Sequence, residues 1–579
     1  MMTILGLLFF QHLFLSLSLS LSSFLFFCAR PRCISITMLQ KHLTSESAVR
    51  LHEERRGRKP NTDMQLSSLA YSSRYATQDV PKFEIPENSA EPQVAYQLIH
   101  DELELDGRPA MNCASFVHTW MEPQADKLIM ENIAKNLSDQ DEYPSTMRIQ
   151  ERCISIIGNL WHAQEAIGTA TVGSSEALML GGLALKKMWQ NQRKAQGKDA
   201  SKPNIIFGNN AQVALEKFAR YFDVEERLIP VTADSHHVLD VEKAVEACDE
   251  NTIGIFIILG STYTGHFEDV KRLSQLLDEH EKKTGHSINI HVDAASGGFV
   301  APFAFPGLEW DFRLPRVVSI NASGHKFGLS YAGVGWVLWR SSDFLPKELI
   351  FELHYLGGTQ YSFNLNFSRP ACFMISQYYN LIRLGREGYT RIVENDLSNA
   401  RLLSEALEES GIFDLVSDMH RADGVFGWQN KRSTKDMAKE KGKKSGMTNY
   451  NPSLPVVSFK LTDEFKEKHK HVKQSAISTL LRTNGWIVPN YALPPNEDKI
   501  EILRVVVRES LSRDMVHRLV DDILQTTDLL TRVDSEMQTS EYAPLEYISE
   551  ANKRPRTDND HAKDEHKDVK KPRTYARTC

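Results

Sequence analysis

Between residues 173 and 340, short runs rich in β-branched and aromatic residues alternate with longer stretches whose apolar positions recur at helical spacing. Runs 204–207, 252–259, 288–292 and 333–339 have strand length and are almost wholly apolar, as strands covered on both faces must be. Stretches 173–196, 211–222 and 270–283 read as amphipathic helices. This alternation predicts an α/β domain with a mostly parallel sheet. In such sheets ligands bind beyond the carboxyl ends of the strands. Helical spacing also marks residues 92–105, and core-density apolar residues begin at Met111. A helix around 385–394 leads out of the large domain, and the remainder reads as a smaller α+β domain. The expected division is an extension at 1–63, an arm at 64–110, a large domain at 111–390, a small C-terminal domain at 391–533 and a tail at 534–579. Within the small domain, 431–450 is rich in Lys, Gly and Ser and is expected to be a solvated insertion; the polar tail is expected to be disordered.

Composition narrows the function classes. The 579 residues hold 75 acidic and 68 basic side chains, a net charge of -7, so nothing global points to nucleic acid. Seven cysteines without paired or zinc-ligand spacing favour reduced thiols and no metal site. Residues 3–27 are largely apolar, yet no Lys or Arg precedes them, as a signal normally requires. An anchor or signal, a cleaved targeting piece and an untranslated upstream extension all remain open. The extension is favoured, with Met38 or Met64 as later starts, so the expected location is the cytoplasm, with membrane association as the alternative. The basic clusters at 553–556 and 570–573 are read as solvated charge rather than nuclear-localisation signals.

Three short motifs carry chemistry. In Ser323-Gly324-His325-Lys326-Phe327-Gly328 a lysine follows a histidine among small residues, where an amine can form a Schiff base with an aldehyde cofactor. Alone, it reads rather as an exposed loop lysine. In His291-Val292-Asp293-Ala294-Ala295-Ser296-Gly297-Gly298 an aspartate ends a buried strand and can pair with a protonated pyridine nitrogen; it could also cap the next helix. Gly173-Ser174-Ser175-Glu176-Ala177 opens a helix and offers hydroxyls and free N–H groups to a phosphate, or is simply a good N-cap. Together the three supply a phosphate seat, a ring-nitrogen partner and a Schiff-base lysine, in the order expected of one β/α domain.

These motifs, with 171–177, 218–224, Tyr355-Leu356-Gly357-Gly358 and Asn366-Phe367-Ser368-Arg369-Pro370, resemble those of the glutamate decarboxylases over roughly 80–530. The resemblance implies a fold-type-I, aspartate-aminotransferase-like domain binding pyridoxal 5'-phosphate. It further implies a homodimer or homohexamer with active sites at subunit interfaces, and L-glutamate as substrate. Carried over by position, Lys326 would hold the cofactor, His325 would lie against its ring and Asp293 would hold the ring nitrogen. Ser174, Ser175 and Ser323 would hold the phosphate, with Gln212, Thr262 and Ala295 also in contact. Ser115, Phe116 and Asn136, with Asp139 close by, match positions near the distal carboxylate, and Arg504 matches the arginine for the α-carboxylate. Two positions depart from the bacterial pattern, Ser115 and Ile258 each standing where a threonine is found. Tyr355, or an acid on the same loop, is the candidate proton donor, and a packed aromatic is the alternative. Plant members carry a basic, Trp-containing calmodulin helix; residues 534–579 have no Trp, so calmodulin is not expected. The rival readings are a sphingosine-phosphate lyase and a non-catalytic protein that kept the fold.

Overall fold

The computed structural model describes residues 80, 83–354, 360–424 and 449–539. The described residues divide into two units, one ending at Asp106 and the other starting at Gly107. In the first, helix α1 (Pro92–Leu103) starts with proline, whose fixed φ and missing N–H suit a first turn, and it buries Val94.

The second unit is built on a seven-stranded sheet. Its strands are β1 (Ile167–Thr171), β2 (Asn204–Gly208), β3 (Glu225–Ile229), β4 (Thr252–Ile258), β5 (Ile290–Asp293), β6 (Val317–Ser323) and β7 (Gly335–Trp339), in the order β1-β7-β6-β5-β4-β2-β3. The run from β6 to β3 is parallel; β7 lies antiparallel to both neighbours. Every residue of β2, β4, β5, β6 and β7 is buried, which explains the near-continuous apolar runs of β2, β4 and β7. β3 is an edge strand of which only Ile229 is buried. Helices α2 (Pro144–Leu160), α3 (Ser174–Ala195), α4 (Val213–Tyr221) and α5 (Val270–Thr284) belong to this layer, and α3 packs on β4, β6 and β7. Asp269 caps α5 through the Arg272 N–H, and Gly285, at φ 74°, ends it in the left-handed region that glycine tolerates.

A short antiparallel hairpin, β8 (Phe351–Leu353) and β9 (Gln360–Ser362), follows. Helix α6 (Cys372–Glu409) then runs out of the large layer, broken at Gly385, where φ 57° and ψ -170° interrupt the helix. Beyond it, β10 (Phe413–Leu415), β11 (Val456–Leu461), β12 (Asn490–Ala492) and β13 (Glu501–Val506) make an antiparallel sheet in the order β10-β11-β13-β12. α7 (Gln474–Leu481) packs on β12 and β13, while α8 (Arg513–Thr539) packs on α6 and α7.

The sequence reading placed most of these elements within a few residues. The strands β1, β3 and β6 are absent from the predicted set, and Ser319–Ser323 complete β6. Among the described residues no helix is long and apolar enough to cross a membrane. The apolar segment 3–27, Tyr355, residues 431–448 of the insertion and residues 540–579 of the tail lie outside the described residues, whereas residues 534–539, expected to be disordered, continue α8.

Candidate active site

The carboxyl ends of β4, β5 and β6 and the start of α3 enclose a cavity of about 260 Å³. All nine residues expected to contact a cofactor line it: Ser174, Ser175, Gln212, Thr262, Asp293, Ala295, Ser323, His325 and Lys326. Their convergence follows from strand order, because β5 and β6 are parallel neighbours and the loop after β6 carries Lys326.

Lys326 Nζ donates to Ser296 Oγ at 3.3 Å and lies 5.3 Å from the centroid of the Phe116 ring. His325 donates from Nδ1 to the Val334 carbonyl at 2.9 Å; burial, and then the neighbouring Lys326 charge, hold it down to about 4, so the imidazole is neutral. Asp293 is buried. Its Oδ1 accepts from the Ala295 N–H at 3.1 Å and from Asn321 Nδ2 at 2.9 Å. Burial raises its pKa, against the pull of Asn321 and of the Lys326 ammonium. Neither bond uses Oδ2. Behind it, Asn321 Oδ1 accepts from His291 Nε2, and His291 Nδ1 meets Ser319 Oγ, both at 2.7 Å. Burial holds His291 down to about 4, and a neutral ring satisfies both contacts. The relay from Ser319 through His291 and Asn321 fixes the Asp293 carboxyl.

One end of the cavity is the start of α3. Ser323 Oγ donates to Ser174 Oγ at 2.7 Å. The first N–H groups of a helix have no intrahelical partner, and in a 22-residue helix they carry the positive end of the macrodipole. Glycines allow the approach: a Cβ on Gly335 would sit 2.5 Å from the Gly173 carbonyl carbon, and one on Gly173 would sit 3.2 Å from His325. Gln212 caps α4, its Oε1 accepting from the Ala214 N–H at 2.6 Å.

The remaining expected residues fall elsewhere. Arg504, almost wholly buried, donates from Nη1 to the Thr262 carbonyl at 2.9 Å and from Nη2 to the Ala114 carbonyl; its Nε has no partner among the described residues. Its guanidinium lies 5.1 Å from the Phe116 ring, so one aromatic faces both Arg504 and Lys326. Ser115 Oγ accepts from the Val117 N–H. Asn136 Oδ1 accepts from the Arg369 N–H at 2.9 Å, and Asp139 donates its own N–H to the Asn136 carbonyl. Ser115, Asn136 and Asp139 do not line the cavity of this chain. Ser296, Asn321 and Glu268 were missed by the sequence reading. Asn321 had a signal, being one of Ser319, Asn321 and Ser323 at the period-two spacing of a strand face.

A cavity joining an amine, a buried carboxylate with a spare oxygen and a helix N-terminus suits pyridoxal phosphate. A pyridoxal-dependent decarboxylase conserved domain spans residues 86–428. A glutamate decarboxylase from Petunia hybrida is 49% identical over 502 residues, covering 85% of this chain and 93% of its own length. The chain belongs to the glutamate decarboxylase family. The family enzyme from Saccharomyces cerevisiae is 48% identical, covering 76% of this chain and 78% of its own. Among solved structures, the Lactobacillus brevis glutamate decarboxylase superposes with a TM-score of 0.71 at 40% identity, covering 79% of this chain and 97% of that one. A Burkholderia pseudomallei sphingosine-1-phosphate lyase superposes with a TM-score of 0.63 at 17% identity, a likeness of fold alone. This glutamate decarboxylase family member thus has the fold-type-I α/β architecture, uses pyridoxal 5'-phosphate as cofactor and is a carboxy-lyase.

Proposed function

We propose that the protein decarboxylates L-glutamate at its α-carbon to give 4-aminobutyrate and carbon dioxide. The observation that carries this reading is the meeting of Lys326, Asp293 and Ser174 in one cavity of a chain so close to known glutamate decarboxylases. When bound, pyridoxal phosphate supplies an electron sink for the breaking carbon–carbon bond. Lys326 is its covalent anchor. Asp293, ionised, keeps the ring nitrogen protonated, and the Asn321 bond holds that carboxylate in place. His325, neutral and tied to Val334, offers a flat, uncharged face to the ring. Ser174, Ser175 and Ser323 receive the phosphate with the α3 N–H groups, and Gln212, Thr262 and Ala295 shape the remaining wall.

Arg504 is the group for the α-carboxylate. Two of its nitrogens are anchored on carbonyls, which fixes the guanidinium plane, and Nε keeps a donor to offer. Ser115, Phe116 and Asn136, with Asp139, are assigned to the distal carboxylate. Since Ser115, Asn136 and Asp139 stand away from this chain's cavity, we assign them to sites completed in a homodimer or homohexamer. Tyr355, or an acid on its loop, is assigned the final proton transfer to carbon. The cytoplasm is the proposed location. The test is direct: purified protein supplied with pyridoxal phosphate and L-glutamate should release carbon dioxide and 4-aminobutyrate in equal amounts. Absence of both products across a broad pH range would overturn the reading.

A further inference from the structure

The loop between β4 and α5 holds a carboxyl that no motif singles out. Glu268 is 3% exposed. Its Oε1 accepts from Asn210 Nδ2 at 2.9 Å and from the Leu239 N–H at 3.0 Å, and its Oε2 accepts from the Ile258 N–H at 2.7 Å. Asn210 and Ile258 both line the cavity, and Ile258 stands in register with Asp293 across β4 and β5. One carboxyl therefore ties together the chain after β2, the segment at Leu239 and the last residue of β4, where the cofactor wall is made. A buried carboxylate facing three N–H donors is satisfied as an anion. Of the groups acting on it, Asn210 and the two backbone N–H groups are neutral, and Asp293 is charged.

We propose that Glu268 is a positioning residue of the cofactor site, fixing the wall formed by Asn210 and Ile258 and adding a second negative charge to that of Asp293 in favour of a cationic ring nitrogen. The proposal rests on Asp293 being the ring-nitrogen partner. Burial, opposed by its three hydrogen bonds, leaves Glu268 pushed up to about 7, so its charge changes within an accessible pH range.

Glutamine has the shape of a neutral glutamic acid, and this sets the test. The full-length chain, stripped of cofactor, is titrated with 4'-deoxypyridoxine 5'-phosphate, which lacks the aldehyde and cannot bond to Lys326. At pH 8 the wild type should bind it about tenfold more tightly than Glu268→Gln, because only the wild type then carries the charge. At pH 6 the two should agree within about twofold, because the wild-type carboxyl is then neutral. A ratio that does not change with pH, whether at unity or above, would overturn the proposal, since a purely structural contact has no reason to follow the proton. Asp293→Asn separates the two readings: if it binds the probe as tightly as wild type at pH 8, the assignment of Asp293 fails instead. If Glu268→Gln does not fold, Asn210→Ser removes one donor and should move the midpoint of the affinity profile to higher pH; an unmoved midpoint is the contrary result.

Discussion

A carboxylate can keep a pyridine nitrogen protonated only while it is itself ionised, and burial works against Asp293 in that role. Asn321, the Lys326 ammonium and the Ala295 N–H all pull the other way. Asp293→Asn keeps the shape and removes the charge, so kcat should fall about 100-fold or more while part of the cofactor affinity survives; a steady-state assay showing near wild-type kcat would refute the role. His291 makes a second prediction at this scale. Its pKa is about 4 in the folded chain against an ordinary value of 6.5. A lowered folded value means that its contribution to stability is complete above pH 6.5 and is lost as the pH falls toward 4. Thermal unfolding should therefore show His291→Gln less stable than wild type at pH 8, with the gap narrowing between pH 6.5 and 4. A gap that widens on acidification would contradict a buried neutral imidazole.

At the scale of elements, close approach shapes the proposed phosphate seat at the start of α3. β7 reaches the start of α3 because Gly335 has no Cβ, and alanine there would put a methyl carbon 2.8 Å from the Ser174 nitrogen. Gly335→Ala should cost about 1–3 kcal/mol of stability and weaken cofactor binding, read by thermal melts and equilibrium dialysis; unchanged cofactor affinity would mean that the α3 start is not the phosphate seat. The same elements show what the sequence made legible. β2, β4 and β7 are apolar because helices and neighbouring strands cover them, so period and composition found them. β6 escapes the pattern because Ser319 and Asn321 are polar; inside the sheet they are paired with His291 and Asp293, a partnership no local pattern reveals. β1, with the sequence Ile-Gly-Thr-Ala-Thr, and the edge strand β3, Glu-Glu-Arg-Leu-Ile, lack a continuous apolar run. In the site, Lys326, Asp293 and Ser174 stood in recognisable motifs. Glu268 did not, because a glutamate just before the Asp269 cap reads as an ordinary acid near a helix N-terminus.

At the scale of the whole molecule, the two larger sheets divide the labour. The large one carries the cavity, and the small one brings Arg504 on β13 to the Thr262 carbonyl at the cavity wall. Sedimentation of the purified chain should give a dimer or hexamer. Lys326→Ala and Asn136→Ala, each impaired alone, should regain activity when co-expressed, since hybrid assemblies rebuild some complete sites; activity no higher than that of either variant would place Asn136 outside a shared site. The central claim is the bond at Lys326, and borohydride reduction of the cofactor-loaded protein followed by peptide mass analysis tests it most directly. The account predicts a pyridoxyl phosphate adduct on the peptide bearing Lys326; an adduct on another lysine, or none at all, would contradict it.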